Sequence, residues 1–441
     1  MRAIETIKNI WKIEELRSRI LVTLALVAVY RFGTYVVLPG VDVASLDTLQ
    51  QQTSEGLLNL LNMFSGGAFS NASIFGLGIM PYISASIVIQ LLTMAVPTFQ
   101  KMQREGESGR RKITQYTRYL TVLILIVQGP VYLINARAQN VVMPPVDDWW
   151  FQISSTVILA AGSMFIMWLG ERITDKGIGN GISFIIMVGI IARFPQSIAQ
   201  EFVQRTTDSS SGGLVMFLGE IILLLFVIAG CILLVQGTRK IPVQYAKRIV
   251  GNKQYGGARQ YIPLKVNAAG VMPIIFAQAI MFIPLTALSY ASPESASNSF
   301  WRHFTDMNGF WYNLVFALLI IAFTYFYTAV TINPTQMSED LKKNNGFIPG
   351  IKPGKKTAEF IDTIMSRITL PGSIFIAIVA VMPAFAKIIG ITTGFAQFFG
   401  GTSLLILVGV VLDTLRQVES HLLMRHYDGL LKSGRIKGRT G

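Results

Sequence analysis

About ten long apolar runs divide this 441-residue chain, and nearly all of its positive charge falls into every second gap between them. A bilayer's hydrocarbon core is about 30 Å thick, and a helix crossing it needs roughly 20 apolar residues. Runs of that kind lie near residues 20–38, 74–96, 117–136, 151–170, 178–194, 213–235, 268–290, 310–332, 369–388 and 395–415. Of the 38 Lys and Arg residues, 32 lie before Ile20, from Lys101 to Arg118, at Arg172 and Lys176, from Arg239 to Lys265, from Lys342 to Arg367, and from Arg416 onward. Arg31, Arg137, Arg193, Arg205, Arg302 and Lys387 are scattered over the alternate connections. Basic gaps face the cytoplasm, so the pattern predicts an integral membrane protein with an even number of spans and both termini cytoplasmic.

Composition agrees, because 14% charged residues beside 51% hydrophobic ones is far below the charged share of about 25% in soluble domains. Topology thus accounts for the excess of base before nucleic acid needs to be invoked. The lone cysteine, Cys231, excludes an intramolecular disulfide. The first 19 residues mix acid and base without a short apolar core and cleavage site, so no cleavable signal peptide is expected.

Two runs are short or broken. The fifth opens in the glycine-rich GIGNG (Gly177 to Gly181), and the second follows LLNLLNMFSGGAF (Leu57 to Phe69), which is too short to span and is ended by Gly66 and Gly67. Such a segment must rest against protein or line a cavity. Ile4, Ile7, Ile10, Trp11 and Ile20 recur near helical spacing among Lys and Glu, which fits a helix in the cytoplasmic interface over residues 1–19; an ordinary solvated helix is the alternative. Five spans in each half, 20–195 and 196–415, force the second half to enter the membrane upside down, and inverted repeats place a functional pathway at their interface. Basic loops at 236–267 and 333–368 and a tail at 416–441 complete the layout.

Signatures of enzyme or pump chemistry are missing. GIKPGKKT (Gly350 to Thr357) approaches a phosphate-binding loop, but its glycines are spaced one residue short, Lys356 stands where Ser or Thr should bind magnesium, and no strand is expected before it. His303, His421 and His426 lack zinc-ligand spacing. Glu220, Asp413 and Lys387 are the ionisable residues nearest membrane depth. Each lies within about two turns of a predicted span end, where snorkelling to the interface is the expected role. No cofactor is expected, and the chain is not expected to be an enzyme.

The second run, SIFGLGIMPYISASIVIQ (Ser73 to Gln90), holds Pro81, which should kink the helix or be accommodated by its neighbours. Ile79, Ile83 and Ile87 share a face, while Ser84, Ser86 and Gln90 offer polar contacts. From periodicity alone this is a packed membrane helix.

Whole strings carry more information. YRFGTYVVLPGVD (Tyr30 to Asp42), MFSGGAFSNASIFGLGIMPYISASIVIQLLT (Met63 to Thr93), EGESGRRKITQYTRY (Glu105 to Tyr119), ERITDKGIGNGIS (Glu171 to Ser183), RKIPVQYAKR (Arg239 to Arg248), PLKVNAAGVMP (Pro263 to Pro273), FIPGIKPGKKTAEFID (Phe347 to Asp362) and FGGTSLLI (Phe399 to Ile406) follow in order along the chain. Together they closely resemble the SecY/Sec61-alpha family of protein-conducting channels. The resemblance implies an all-α membrane protein with ten helices in two inverted five-helix halves around a central pore.

The resemblance also carries roles to matching positions. Ile79, Ile83, Ile182, Ile186, Ile275 and Ile406 would form the aliphatic pore ring, a poorly hydrated gasket able to seal by dewetting. Leu60, Met63, Phe64, Ser65, Gly66 and Gly67 would belong to the plug; a static re-entrant segment filling the funnel is the alternative. Ser84, Ser86 and Gln90, with Gln278 opposite, would face a lateral gate opening to lipid. Arg239, Lys240, Lys247, Arg248, Lys352 and Lys355 would dock partners, although such loops could merely set topology or bind anionic lipid. Lys352 departs from the family's usual arginine, keeping the charge but losing the planar fork.

The implied function is passage of unfolded polypeptides across a bacterial plasma membrane and lateral release of apolar segments into lipid. The implied partners are SecE, SecG, the SecA ATPase and the ribosome. A secondary transporter for a small solute is the alternative from a different class, and it predicts a charged midplane site that the sequence lacks.

Overall fold

The computed structural model describes residues 11, 13–46, 62–138, 141–142, 149–207, 213–245, 248–250, 253–255, 259–278, 280–281 and 309–432. Its helices are α1 (Glu14–Gly33), α2 (Met80–Ala95), α3 (Pro97–Arg104), α4 (Glu107–Ala138), α5 (Trp149–Lys176), α6 (Gly181–Thr207), α7 (Gly213–Gln236), α8 (Phe310–Thr331), α9 (Pro334–Lys343), α10 (Lys355–Ile388), α11 (Thr393–Ala396) and α12 (Gly401–Lys432). Among the described residues seven helical stretches are long and apolar enough to cross a membrane, or eight if the pair α2–α3, bent by 102°, is counted as one span. Helix α1 and the helical residues 272–278 stand where the first and seventh predicted runs begin. The chain is an all-α integral membrane protein. Residues 282–290 of the seventh run, and Ile4, Ile7 and Ile10 of the expected interfacial helix, lie outside the described residues.

Helices dominate because lipid offers no hydrogen-bond partner, so a spanning segment must satisfy its own backbone. Pro81, Pro97 and Pro334 stand in first turns, where a missing N–H costs nothing. Pro130, Pro195, Pro371 and Pro383 lie inside α4, α6 and α10. Asn333 caps α9 by accepting from the Gln336 amide at 3.2 Å. Helix α10 ends in a Schellman motif, with Gly390 at φ +91°, its amide donating to Lys387 at 2.9 Å and the Ile391 amide to Ala386 at 3.2 Å.

The second span departs from expectation. Residues 65–79 form turns and a β-bridge, and helix begins only at Met80, so Pro81 starts α2 and kinks nothing. Two features coincide there: Gly78 is at φ +57°, and residues 72–74 pair with the distant residues 36–38, Leu38 donating to Ala72 at 2.9 Å and Ile74 to Val36 at 3.0 Å. The same pairing ends α1 at Gly33 instead of carrying it to residue 38.

The chain divides into two compact units, Met1–Ser197 with Val410–Gly441, and Ile198–Gly409. In the first, α4 packs on α5 and α2, and α1 on α5. Tyr30, Phe75, Phe165 and Trp168 form a continuous aromatic stack with centroids 6.3, 6.0 and 5.7 Å apart. The Arg118 guanidinium donates to both carboxylate oxygens of Glu171, at 3.1 and 2.6 Å, joining α4 to α5.

In the second unit α10 packs against α7, α8 and α9. The basic loops carry strands the sequence reading did not anticipate. Strand β1 (Thr238–Tyr245) lies antiparallel to β4 (Arg259–Lys265), with Ile241 opposite Ile262 and Val243 opposite Gln260. Strands β2 (Arg248–Val250) and β3 (Lys253–Tyr255) pair separately. Strand β5 (Gly346–Phe347), from the next basic loop, joins the other edge of β1. Ile241, Val243, Leu264, Leu341, Ile348, Ile361 and Met365 bury one core beneath this sheet.

Candidate functional site

Residues 62–70 form a continuous buried stretch of the first unit that is largely outside regular helix. Asn62, Met63, Phe64, Ser65, Ala68, Phe69 and Ser70 are all buried, so every amide needs a partner. The segment supplies most itself. Gly67 donates to the Asn62 carbonyl at 2.9 Å, Ser70 to the Asn62 side chain at 3.1 Å, and Phe69 to the Ser65 hydroxyl at 3.1 Å.

Neighbouring helices hold it at three points. Tyr30 Oη of α1 donates to the Ser65 carbonyl at 3.1 Å, Arg31 Nη1 to the Gly66 carbonyl at 2.9 Å, and Tyr132 Oη of α4 to the Phe69 carbonyl at 3.0 Å. Gly66 and Gly67 take φ +65° and +93°, a region open mainly to glycine. Gly66 lies so close to Gly189 of α6 that a Cβ on it would sit 2.9 Å from the Gly189 Cα. Met63, Phe64, Ser65, Gly66 and Gly67 are thus one buried, tethered knot; Leu60 lies outside the described residues.

Of the ring candidates, Ile79, Ile83, Ile182 and Ile186 belong to the first unit and Ile275 and Ile406 to the second. Ile79 caps α2 and is 2% exposed, with the Ile83 amide donating to its carbonyl at 3.1 Å. Ile182 and Ile186 lie in the first turns of α6, which starts where the Asn180 side chain accepts from the Ile182 and Ser183 amides. Ile406 is buried in α12 and Ile275 half-buried in helical residues 272–278. Ser84, Ser86 and Gln90 are half-buried on α2, Gln90 donating to Ser86 at 3.5 Å while its own side-chain oxygen is buried with no partner among the described residues. Gln278 is half-buried in the second unit.

Of the docking candidates, Arg239 and Lys240 are exposed on β1, and Lys352 and Lys355 are exposed before and at the start of α10. The Lys352 carbonyl accepts from the Thr357 hydroxyl at 3.0 Å. Arg248 starts β2, and Lys247 lies outside the described residues.

Glu220 corrects the snorkelling expectation. Its side chain is 3% exposed and accepts from Arg205 at 2.6 Å. Arg205 also donates to Glu201 at 2.9 Å and to the Gly390 carbonyl at 2.8 Å. Glu201 uses its other oxygen for the Thr392 amide at 2.9 Å and the Thr392 hydroxyl. A short carboxylate on the first turns of α7 cannot reach an interface when an arginine on α6 captures it; the i, i+4 pair Glu201–Arg205 was the available signal. Tyr30, Arg31 and Arg193, all near the knot, were likewise missed, although an arginine within an apolar run invites attention.

Comparison with known proteins adds an independent line. The SecY family pattern matches residues 73–415. The protein translocase subunit SecY of Thermotoga maritima is 41% identical over 99% of both chains. That of Chlamydia trachomatis is 39% identical over 98% of this chain and 99% of its own. Among solved structures, a protein-conducting channel covers 96% of this chain and 95% of its own at a TM-score of 0.63 and 16% identity. The canine Sec61 chain of a ribosome–channel complex covers 96% and 95% at 0.62 and 15%, likenesses that speak to fold alone. With the family pattern running through α2 to α12 and near-full-length relatives at about two-fifths identity, the chain belongs to the SecY family.

Proposed function

We propose that this chain is the protein-conducting channel of a Sec translocase in a bacterial plasma membrane. It passes unfolded polypeptides outward and releases transmembrane segments sideways into lipid, with both termini in the cytoplasm. The observation that carries the reading is the knot at residues 62–73, a non-spanning buried segment held by three side-chain hydrogen bonds, in a chain that matches its relatives over nearly full length.

Within this reading, residues 57–69 are the plug that blocks the external funnel, and the six isoleucines are the ring that seals by dewetting and around a crossing chain. Ser84, Ser86, Gln90 and Gln278 line the lateral gate. The sheet that joins β1, β4 and β5, with Lys352 and Lys355 beside it, receives SecA or the ribosome, while SecE and SecG complete the membrane complex. The chain itself carries no chemical step, so energy comes from those partners or from the proton-motive force. No observation favours the small-solute transporter.

The test is reconstitution of the full complex with SecA and a signal-bearing unfolded substrate. Ile83→Asn and Ile406→Asn should each raise ion leak and admit a signal-defective substrate, because a polar side chain wets an apolar constriction. Unchanged leak and unchanged selectivity in both variants would remove the ring from the reading.

A further inference from the structure

Arg193 has no role in the fold that its hydrogen bonds reveal. It lies on α6, half-buried, and makes no hydrogen bond or ion pair among the described residues. A methyl group placed on Gly67 would sit 3.8 Å from its Nε, so the guanidinium faces the knot. Arg31 faces the same turn from α1, bonded to the Gly66 carbonyl at 2.9 Å and to Tyr35 Oη at 3.3 Å, and it acts on Arg193 as a like charge. No carboxylate among the described residues bonds either arginine. Withdrawing a charge from water is costly unless it is paired, so this pair stands ready for an anion.

Its depth gives the pair a direction. Arg31 is two residues from the end of α1, which charge patterning places on the outer side. Arg193 is twelve residues into α6, about 18 Å from its cytoplasmic start at 1.5 Å per residue, beyond the middle of the bilayer. Both cations therefore lie on the outward side of Ile182 and Ile186, against the segment that must leave before a chain can pass.

We propose that Arg193 and Arg31 form a cationic collar at the exit of the conducting path, which favours acidic and neutral segments of the crossing polypeptide and retards basic ones. The inference rests on the channel reading and deepens it by naming a charge class of substrate. When the Gly66 carbonyl withdraws, Arg31 keeps only Tyr35 and Arg193 remains unpaired among the described residues, so the first anionic group to arrive meets two guanidiniums without a carboxylate partner. A lysine-rich stretch meets only repulsion, in surroundings where charges are screened less than in water. Arg193 is then a specificity-determining residue and not part of the seal.

The experiment uses the reconstituted complex in uncoupled vesicles, so that no membrane potential biases charged segments. Substrates share one signal sequence and carry lysines, glutamates or glutamines at the same positions just after it. The unmodified complex should export the glutamine and glutamate forms faster than the lysine form, with the gap narrowing as salt rises. Arg193→Gln should narrow the gap by at least about fivefold, the scale of one close charge pair in bulk water and so a lower bound here, while Arg193→Lys should keep it. A gap that is absent in the unmodified complex, insensitive to salt, or identical in Arg193→Gln and Arg193→Glu overturns the collar. If Arg193→Gln exports nothing, the salt series on the unmodified complex and Arg193→Lys decides by the same criteria. Failure of the unmodified complex to export even the glutamine form would instead overturn the channel reading.

Discussion

Arg205 donates to Glu220 at 2.6 Å from a guanidinium that also holds Glu201, and the side-chain exposures of Arg205 and Glu220 are 7% and 3%. Burying charge is costly unless each group is paired, and here one cation serves two carboxylates with help from Thr392 and the Gly390 carbonyl. The arrangement ties the end of α6, the start of α7 and the turn after α10 into one body.

Loss of that cation should be costly. Arg205→Met strands two buried carboxylates, and breaking such a pair costs roughly 3–5 kcal/mol. Arg205→Met combined with Glu201→Gln and Glu220→Gln should recover much of the loss. Thermal unfolding of the purified complex reads both variants; equal destabilisation by the single and triple changes would show that the charges are not what holds these helices.

Gly66→Ala should loosen the knot. A non-glycine residue in the left-handed region costs roughly 1–2 kcal/mol, and the new Cβ also meets the Gly189 Cα at 2.9 Å. Gly350→Ala, at φ +85° with nothing within 4 Å, bears the torsional cost alone and serves as the control. Ion leak through reconstituted channels should rise for Gly66→Ala and stay at the unmodified level for Gly350→Ala. Equal leak in both would detach residues 62–70 from the seal.

The proposed lateral gate is open to a crosslinking test. Cysteines replacing Ser86 and Gln278, or adjacent positions on the same faces, should crosslink in the resting complex and stop export, and a long flexible bifunctional linker should restore it. Full export with the short crosslink completely formed would sink the gate assignment.

Docking and topology can be separated at the basic loops. Lys352→Glu and Arg248→Glu leave many other cytoplasmic charges, so insertion should survive, while affinity for SecA or the ribosome should fall by about 2–5 kcal/mol if each is a desolvated contact. Lys352→Arg should bind at least as well, since it adds a planar fork. Binding measured in membranes that contain normal amounts of each variant checks this, and unchanged affinity in both reversals would leave these loops a topological role only.

Much of the membrane architecture was legible because lipid removes alternatives: an apolar run of about 20 residues has little choice but helix. The second span shows where that logic stops. Ser73 to Ile79 is apolar enough for helix, yet the backbone of residues 72–74 is claimed by residues 36–38 and residues 75–79 run on as turns, a pairing that no local pattern announces. The sheet was readable in part, since Ile241, Val243 and Tyr245 alternate with outward residues through RKIPVQY, but the loops were read for their charge. Glu220 misled for a similar reason. Distance from a span end suggested an interface, while its partner Arg205 sits fifteen positions away, across a helix connection. The knot's segment was visible as an interrupted apolar run, whereas its anchors Tyr30 and Arg31 were hidden inside an ordinary-looking span.

The pairing of β5 with β1 settles a question of parity. Gln244 lies opposite Phe347 and Tyr245 opposite Gly346, so both stretches occupy the same side of the membrane. Whatever path residues 246–345 take, they must traverse the bilayer an even number of times, a conclusion that owes nothing to the distribution of lysine and arginine. A chain that inserted one intervening helix in the wrong orientation would leave β1 without this neighbour. The sheet's second edge thus works as a register of correct threading, completed only after every intervening crossing has been made.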